Sequence, residues 1–428
     1  MNKRSRKSQS RKVVPDISPA LRTVRVGNLE VEARARLREV LIHGGMAVAT
    51  AMLEEEIEQL CGPRYSRGEG LASRWGYGPG EAVLGGRKVK LERPRARQGG
   101  KEVPLGTYEQ FQLEDPLTER AVEQMLVGVS TRKYARSLEP VITSLEERGT
   151  SKSAVSRRFV AKTAAQLEVT LSESLGDRQW VALMIDGLHF HEHLVLIVLG
   201  IDESGAKHLL GFREGTTENQ TVCRELLSDV VARGVPADKS LLVVIDGGKG
   251  LRKAVSDVFG QFALVQRCRV HKRRNVLEHL PEGERGQVRA ALNEAYKAGN
   301  YETGLRLLEN LARSLDKRHP SAASSLREGM EETLTVTRLG LTGALSRTLE
   351  TTNPIENING GIRRVGGRVK YCRHGRMALR WVATAALECA RTFHRLKGHR
   401  EMYKLAAALR DRDNKLKQDV VDTVRHSA

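Results

Sequence analysis

The apolar residues of this chain recur with two periods, one helical and one strand-like. Within residues 30–60, Leu53 and Ile57 belong to a series spaced by three and four positions, which predicts a helix. Glycines are dense over residues 62–104, where residues 88–92 alternate between charged and apolar side chains. This second pattern predicts a small β-hairpin region after the helix. Its arginines and lysines suit either phosphate contacts or an ordinary solvated face.

Residues 115–175 have a helical pattern that is interrupted by turns. Asp115 and Pro116 suit the N-cap and first position of a helix, a second short helix is expected around residues 130–138, and Ser151 suits the cap of a third. A short helix, a turn and a basic helix form the helix-turn-helix pattern, although many helical hairpins without a role in DNA binding share it. The candidate DNA contacts lie on the third helix: Lys152, Arg157 and Arg158.

From Trp180 onward the period becomes strand-like. Three apolar segments, residues 181–186, 193–201 and 207–212, are joined by short turns, which predicts an antiparallel meander. Helices and strands then alternate, with a helix at about 219–233, a strand at 240–245, a helix at 250–259 and a strand at 263–267. The order β-β-β-α-β-α-β is that of the ribonuclease H-like fold. A right-handed crossover after the third strand would place the fourth strand beside the first.

Two of these strands carry the same sequence pattern. Residues 181–187 read Val-Ala-Leu-Met-Ile-Asp-Gly and residues 241–247 read Leu-Leu-Val-Val-Ile-Asp-Gly, so an apolar run ends on Asp186 and again on Asp246. Because a buried strand cannot hold an unpaired charge, each Asp is expected at the mouth of its strand. Two carboxylates at one sheet edge repel each other unless a cation bridges them, and that cation is often a divalent metal ion. A single Asp at a strand end is usually a cap, but the repeated pattern favours a paired site.

A third carboxylate is expected from farther along the chain. Residues 275–334 are predicted to form a block of helices inserted into the fold, after which Asn353 and Pro354 begin a helix with Glu356 in its first turn. Three carboxylates at one edge can hold two Mg²⁺ ions, with Mn²⁺ as the expected substitute, because Mg²⁺ prefers oxygen ligands. On chemistry alone the third position stays open. Its rival candidates are Glu214, Glu218 and Glu350.

The net charge indicates a polyanionic partner. The 428 residues include 71 Lys and Arg against 52 Asp and Glu, a formal charge of +19, which favours a nucleic-acid-binding protein over a merely basic one. Residues 357–380 have the sharpest asymmetry, with seven basic residues and no acidic one, whereas a solvated surface would mix both signs. The basic residues of this stretch are Arg363, Arg364, Arg368, Lys370, Arg373, Arg376 and Arg380.

The cysteines and the N-terminus indicate the cellular setting. Five scattered cysteines argue against a disulfide framework and for a reducing cytosol. No apolar run approaches the ~20 residues of a membrane span. Residues 1–28 are interpreted as a flexible basic arm and lack the apolar segment of a secretory signal. We therefore expect a cytoplasmic protein with no membrane partner.

The pair Cys268-x-x-His271 has half of the ligands of a zinc site at most. Cys372 and His374 could complete such a site. The simpler interpretation is a structural motif that positions the sheet edge near Asp246, or a DNA backbone.

Six short segments form a specific combination of motifs: Asp186-Gly-Leu, Gly200-Ile-Asp-Glu-Ser-Gly-Ala-Lys-His-Leu-Leu-Gly, Glu214-Gly-Thr-Thr-Glu-Asn, Ile245-Asp-Gly-Gly-Lys-Gly-Leu, Gln266-Arg-Cys-Arg-Val-His and Thr352-Asn-Pro-Ile-Glu-Asn. Together they resemble the Mutator-type transposases of bacterial insertion sequences, the insertion-sequence-256 group. The resemblance covers about residues 30–400. One departure follows the first Asp, where the family often has Lys or Arg and this chain has His189, Phe190 and His191.

The resemblance implies a DDE transposase that binds the terminal inverted repeats of its element. By this similarity Asp186, Asp246 and Glu356 are the catalytic, metal-binding triad, and Cys268 and His271 belong to a family motif. The family implies Mg²⁺-dependent strand cleavage, strand transfer and a circular intermediate, with double-stranded DNA as element ends and target. Because two ends must be joined, a homodimer or higher oligomer on DNA is expected in the bacterial cytoplasm, associated with the nucleoid.

Two alternative functions stay open at this point. One is a metal-dependent nuclease or resolvase of the same fold that performs no strand transfer. The other is a catalytically inactive DNA-binding protein, which would require a broken triad, whereas all three carboxylates are present.

The expected fold class is α/β: a ribonuclease H-like catalytic core, interrupted by an all-α insertion domain and preceded by a mainly helical DNA-binding region. The expected domains are the basic arm at 1–28, a helical and hairpin DNA-binding or dimerisation region at 29–114, a helix-turn-helix-like domain at 115–175, the first part of the core at 176–271, the insertion at 272–349, the last part of the core with its basic DNA track at 350–400, and a tail at 401–428.

Overall fold

The computed structural model describes residues 29–65, 72–84, 86–113, 116–138, 147–148, 150–215 and 219–426. The basic arm predicted at 1–28 and the rival carboxylate Glu218 lie outside these residues. The chain divides into two compact units. The first comprises Met1–Leu117 with Ala135–Thr150, and the second comprises Thr118–Tyr134 with Ser151–Ala428.

The first unit contains the predicted helix and the predicted hairpin. Its elements are α1 (Leu29–Cys61), β1 (Ser73–Leu84), β2 (Arg87–Gln98), β3 (Lys101–Val103), α2 (Gly106–Leu113) and β4 (Glu147–Arg148). Strand β2 pairs antiparallel with β1, β3 and β4. Leu53 and Ile57 of α1 are buried in one core with Leu91 and Ala96 of β2, so the helical series found in the sequence is the face that packs on the sheet.

Three helices follow, at the places that the sequence pattern indicates: α3 (Pro116–Leu126), α4 (Tyr134–Ser137) and α5 (Lys152–Ser172). The predicted cap of the third helix is present, because Ser151 accepts a hydrogen bond from the backbone N–H of Ala154 at 3.3 Å.

A five-stranded mixed sheet forms the centre of the second unit. In chain order its elements are β5 (Trp180–Phe190), β6 (His193–Asp202), β7 (Lys207–Gly215), α6 (Gln220–Ala232), β8 (Leu241–Ile245), α7 (Lys249–Phe259) and β9 (Ala263–Arg267). The spatial order is β7-β6-β5-β8-β9, with β5, β6 and β7 antiparallel and with β8 parallel to both β5 and β9. The fourth strand therefore lies beside the first, as the crossover argument predicts.

Both faces of this sheet are covered, which explains the nearly continuous apolar runs of its strands. Leu183 and Ile185 of β5 belong to the core that includes α6 and α7. Met184 and Leu188, which point to the other face, belong to a core built with helices from farther along the chain.

One prediction about β5 is wrong. Asp186 was expected at the mouth of its strand, but β5 continues four residues farther to Phe190. The cause is that the antiparallel partner β6 pairs with β5 as far as Phe190, whereas the parallel partner β8 pairs only with residues 182–184. Asp186 is thus held inside a strand, just past the point where β8 ends.

The remaining elements are helical, as expected for the block after the fifth strand: α8 (Arg269–Glu278), α9 (Glu282–Tyr296), α10 (Tyr301–Asp316), α11 (Pro320–Arg327), α12 (Thr335–Arg338), α13 (Gly343–Leu349), α14 (Asn353–Gly366), α15 (Gly375–Ala390) and α16 (Met402–His426), with short 3-10 helices at Glu331–Leu334 and His399–Glu401. Helices α8 to α11 share a core of their own, which includes Val276, Leu292 and Leu308. None of the helices in the described part of the chain is long and apolar enough to traverse a bilayer.

Candidate active site

Both carboxylate oxygens of Asp186 accept hydrogen bonds. Its Oδ1 accepts a hydrogen bond from the N–H of Gly187 at 3.0 Å, and its Oδ2 accepts one from Nδ2 of Asn359 at 2.7 Å. Burial, followed by the negative charges of Asp246 and Glu356, raises the pKa of Asp186 to about 6. Asp186 thus lies within reach of the negative charges of Asp246 and Glu356.

Asp246 directly follows β8, as predicted. Its Oδ1 accepts a hydrogen bond from the N–H of Gly248 at 3.0 Å. Between these residues the backbone turns at Gly247, whose φ of +111° is accessible to glycine and strained for other residues. The Asp-Gly-Gly sequence therefore supplies both the carboxylate and the turn that orients it.

Glu356 lies in the first turn of α14, as predicted, and its Oε1 accepts a hydrogen bond from Oγ1 of Thr352 at 2.5 Å. Its side chain is 37% exposed, so a substrate can reach it. The helix approaches β5 closely because Gly366 has no side chain. A Cβ at that position would lie 2.5 Å from the ring of Phe190.

Cys268 and His271 lie at the start of α8 and contact the residue that holds Glu356. The backbone N–H of Thr352 donates to Sγ of Cys268 at 3.4 Å, and Nδ1 of His271 is 3.3 Å from Oγ1 of Thr352 and 3.8 Å from Oε1 of Glu356. Burial opposes ionisation of the Cys268 thiol, but hydrogen bonds with His271 and Thr352 outweigh it and lower its pKa. The same hydrogen bond with Cys268 raises the pKa of His271.

One ligand atom each from Cys268, His271 and Glu356 lie within 4.8 Å of one another, a spacing that a metal ion could bridge. Cys372 and His374, considered above as the second half of a zinc site, are not part of this group among the described residues. Cys372 instead donates its S–H to the carbonyl of His374 at 3.6 Å.

Two of the rival carboxylates, Glu350 and Glu214, pair with other side chains. Oε1 of Glu350 lies 2.7 Å from Nη1 of the buried Arg269. Oε1 of Glu214 lies 3.0 Å from Nδ1 of His193, on a strand pair at the side of the sheet away from β8. Among carboxylates, the charges that act most strongly on Asp186 are instead those of Asp246 and Glu356.

The basic stretch after Glu356 covers the end of α14, the start of α15 and the connection between them. Six of its seven cations are exposed, and Arg380 is half-buried. Arg368 donates a hydrogen bond to the carbonyl of Val127. The exposed cations are Arg363, Arg364, Arg368, Lys370, Arg373 and Arg376.

The basic residues predicted on the third helix lie on α5. Lys152 and Arg157 are exposed and Arg158 is half-buried. The opposite face is packed into the second unit, where the ring of Phe159 lies 4.5 Å from that of Trp381. Helix α5 therefore has one packed face and one face exposed to solvent.

Sequence reasoning missed two residues of this site, Asn359 and Thr352. Asn359 is 2% exposed, and its Oδ1 is buried with no hydrogen-bond partner among the described residues. It follows Glu356 by three positions, so helical spacing would have placed the two side chains on neighbouring parts of one face. Thr352 precedes Glu356 by four positions and is fully buried.

An α/β protein with clustered carboxylates and exposed basic surfaces is suited to processing DNA. The sequence model described as "Transposase, Mutator family" matches residues 27–395. The chain belongs to the Mutator family of transposases, which confirms the resemblance found in its motifs, and it is an insertion-sequence transposase, a DNA-processing enzyme.

Individual relatives are similar over most of their length. The chain is 28% identical over 361 residues to the transposase for insertion sequence element ISRM5 of Rhizobium meliloti (strain 1021), which covers 82% of this chain and 87% of the relative. It is 26% identical over 329 residues to the transposase for insertion sequence element IS256 in transposon Tn4001 of Staphylococcus aureus, covering 73% and 80%.

Proposed function

We propose that this transposase is of the DDE type. It binds the terminal inverted repeats of its element, cuts DNA strands at the element ends and joins them to target DNA. Asp186, Asp246 and Glu356 are the catalytic residues. The observation that carries this proposal is the hydrogen bond from Asn359, on the helix that carries Glu356, to Asp186 on β5, the strand that pairs with β8 just before Asp246.

The fold supports the same proposal. The order β-β-β-α-β-α-β with the fourth strand beside the first is the arrangement of a ribonuclease H-like core, with Asp186 on β5 and Asp246 directly after the adjacent strand β8. Helices α8 to α11 have their own core and separate β9 from α14, as an insertion domain would. Helix α14, which carries Glu356, follows this block in the sequence.

The residues present fit divalent cations. The donor set consists of carboxylate oxygens, which suit Mg²⁺ and Mn²⁺, and a positive charge between them would relieve the repulsion that raises the pKa of Asp186. The unpaired buried Oδ1 of Asn359 adds a further oxygen beside Asp186. Bound metal ions would lower the pKa of a water or 3′-hydroxyl nucleophile and stabilise the leaving oxygen.

The protein's own contribution is to hold each carboxylate in position. Gly187 and Asn359 hold Asp186, Gly248 holds Asp246, and Thr352 holds Glu356. Ligands fixed by surrounding hydrogen bonds are already arranged for the reaction and lose little entropy when the DNA binds.

Cys268 and His271 act as the structural motif behind Glu356. Both contact Thr352, one through its backbone N–H and the other through its hydroxyl. Their soft sulfur and imidazole ligands do not suit Mg²⁺. They therefore support the third carboxylate instead of forming a separate zinc centre.

The DNA partners follow from the charge distribution. The exposed cations of 363–373 and those of α5 bind phosphates of double-stranded DNA. Joining two element ends requires two active sites, so the protein acts as a homodimer or higher oligomer on DNA. Its place of action is the bacterial cytoplasm, at the nucleoid.

One assay separates this proposal from a nuclease and from an inactive DNA-binding protein. Wild-type protein is incubated with Mg²⁺, labelled element ends and a supercoiled plasmid. A DDE transposase yields cut ends and plasmid-joined product, a nuclease yields cut ends alone, and an inactive protein yields only the bound complex. Alanine at Asp186, Asp246 or Glu356 should abolish both products and leave end binding intact. Cleavage by the Glu356→Ala variant would overturn the assignment of the third carboxylate.

A further inference from the structure

A second concave surface lies on helix α14 within the same unit. It is a cleft of about 1070 Å³ between α13, α14, the end of α15 and residues 392–397. Six long cationic side chains line it: Lys207, Arg347, Arg364, Arg368, Arg395 and Lys397. We call this surface the α14 cleft.

The charges of the α14 cleft are not neutralised by the protein. In the described part of the chain, no carboxylate lies within ion-pair distance of Arg347, Arg364, Arg395 or Lys397, and all four are exposed. The one acid on the wall, Glu388, pairs with Arg391 at 3.0 Å. Concave surfaces with uncompensated positive charge concentrate polyanions.

Three buried or half-buried cations elsewhere in this unit are paired. Arg267 and Arg269 have carboxylate partners at 2.8 and 2.7 Å, and Arg252 has one at 2.5 Å. A basic chain therefore does not by itself leave every cation of this unit without a carboxylate partner. The α14 cleft is a place where several such cations lie together.

Helix α14 separates the cleft from the carboxylates. Each residue of an α-helix is rotated by about 100° from the last. Gly361, which lines the cleft, is two positions from Asn359, which contacts Asp186, so the two residues point about 200° apart. A DNA strand lying on the carboxylates is on the other side of this helix from the cleft.

The side chains in the cleft suit phosphates and not base edges. Flexible Arg and Lys side chains read the DNA backbone without regard to sequence unless they are fixed in a groove. Two of the six are partly fixed, because Nζ of Lys207 lies 4.7 Å from the centre of the Phe393 ring and Arg368 donates a hydrogen bond to the carbonyl of Val127. The other cations on α13 and residues 392–397 are free to follow a duplex backbone.

We propose that the α14 cleft binds the target duplex during strand transfer, as a DNA segment distinct from the element end at the carboxylates. This inference rests on the proposed strand-transfer function. Phosphate contacts carry no sequence information, so they suit a duplex whose sequence is unrelated to the element ends. The cleft extends to Asn353 and Pro354 at the start of α14, within one turn of Glu356. A duplex held in the cleft by one flank can therefore run past the start of this helix and present a phosphate to the carboxylates after the element strand has been cut.

The test uses a triple variant, Arg347→Ser with Arg395→Ser and Lys397→Ser, none of which lies on α14. The matched control removes the same amount of charge from exposed cations outside the cleft. Its substitutions are Arg289→Ser on α9, Lys297→Ser in the connection after α9, and Arg306→Ser on α10. Thermal unfolding of both variants checks that they are folded.

Two measurements are made on the full-length protein. The first is binding of a labelled duplex of unrelated sequence without Mg²⁺, at several salt concentrations. The second is cleavage of an element end, compared with joining of a pre-cut end to plasmid. We expect the cleft variant to bind the unrelated duplex at least tenfold more weakly, with a salt slope smaller by about 3. Its joining should fall at least tenfold at low plasmid concentration, while end cleavage stays within twofold of wild type.

Each other outcome decides against the inference. Equal duplex binding by wild type and cleft variant, or an equal loss in the control variant, shows that the cleft is not a DNA site. A parallel loss of cleavage and joining shows that it holds the element end. If wild-type protein cuts but never joins, strand transfer itself fails, and duplex binding then reports on the cleft alone.

Discussion

Asn359 donates its side-chain amide to Oδ2 of Asp186 at 2.7 Å, and this bond joins the helix that carries Glu356 to the strand that carries Asp186. The two residues are 173 positions apart in sequence. Because the donor is buried, the bond is protected from water and fixes the distance between two of the proposed metal ligands.

Replacing Asn359 by the similarly shaped Leu should weaken metal binding. Loss of a hydrogen bond to a charged group costs about 1.5–3 kcal/mol, which corresponds to a roughly tenfold or larger rise in the Mg²⁺ concentration for half-maximal effect. The measurement is the shift in unfolding temperature against Mg²⁺ or Mn²⁺ concentration, together with end cleavage. Asn357→Ser, on the exposed face of the same helix, is the control. An unchanged metal dependence in N359L would show that the bond only stabilises the fold.

The raised pKa of Asp186 predicts a pH-dependent stability of the metal-free protein. With a folded pKa of about 6 against an ordinary value of 3.8 for an aspartate, the folded state binds more protons than the unfolded state between these values. The unfavourable contribution is therefore absent below about pH 3.8 and fully present above about pH 6, where roughly 1.4 kcal/mol per pKa unit gives about 2–3 kcal/mol.

Asp186→Asn should thus stabilise the protein in EDTA at pH 7.5, and the gain should shrink as the pH is lowered to 4. Urea unfolding of wild type and variant at both pH values measures this difference. A gain of the same size at pH 4 and pH 7.5 would mean that the change acts through packing and not through charge.

The local elements of this protein could be predicted because their signals are local. Apolar runs bounded by turn residues located all five strands of the central sheet, and the Asn-Pro pair located the start of α14. Glu356 was placed in the first turn of that helix by the same signal.

What could not be predicted depends on contacts between distant parts of the chain. The length of β5 is set by its pairing with β6, so the apolar run alone gave a strand that ends too early. Glu350 was a rival to Glu356 because no local sequence signal indicates that it forms an ion pair with Arg269. Asn359 was missed because its contact with Asp186 spans 173 positions of the chain, and only the fold brings the two residues together.

The contrast between Glu350 and Glu356 gives a matched pair of variants. Glu350→Gln removes the charge partner of the buried Arg269, so it should lower the free energy of unfolding by about 3 kcal/mol. Cleavage per folded molecule should be retained. Glu356→Gln should abolish cleavage with little loss of stability, since its side chain is partly exposed. Urea unfolding and end cleavage are measured on both, and a reversed pattern would make Glu350 the third catalytic carboxylate.

Thr352 should matter for catalysis although it is not one of the three carboxylates. Thr352→Val keeps the size of the buried side chain and removes the hydroxyl that donates to Glu356 and contacts His271. We expect end cleavage to slow roughly tenfold or more, because the loss of a hydrogen bond to a charged group costs about 1.5–3 kcal/mol. Thr352→Ser keeps the hydroxyl and should restore most of the rate. The comparison is made at saturating Mg²⁺ and with element-end binding measured separately. If the Val and Ser variants cut equally well, Glu356 is positioned without the Thr352 hydroxyl, and the support assigned to His271 through that hydroxyl is lost with it.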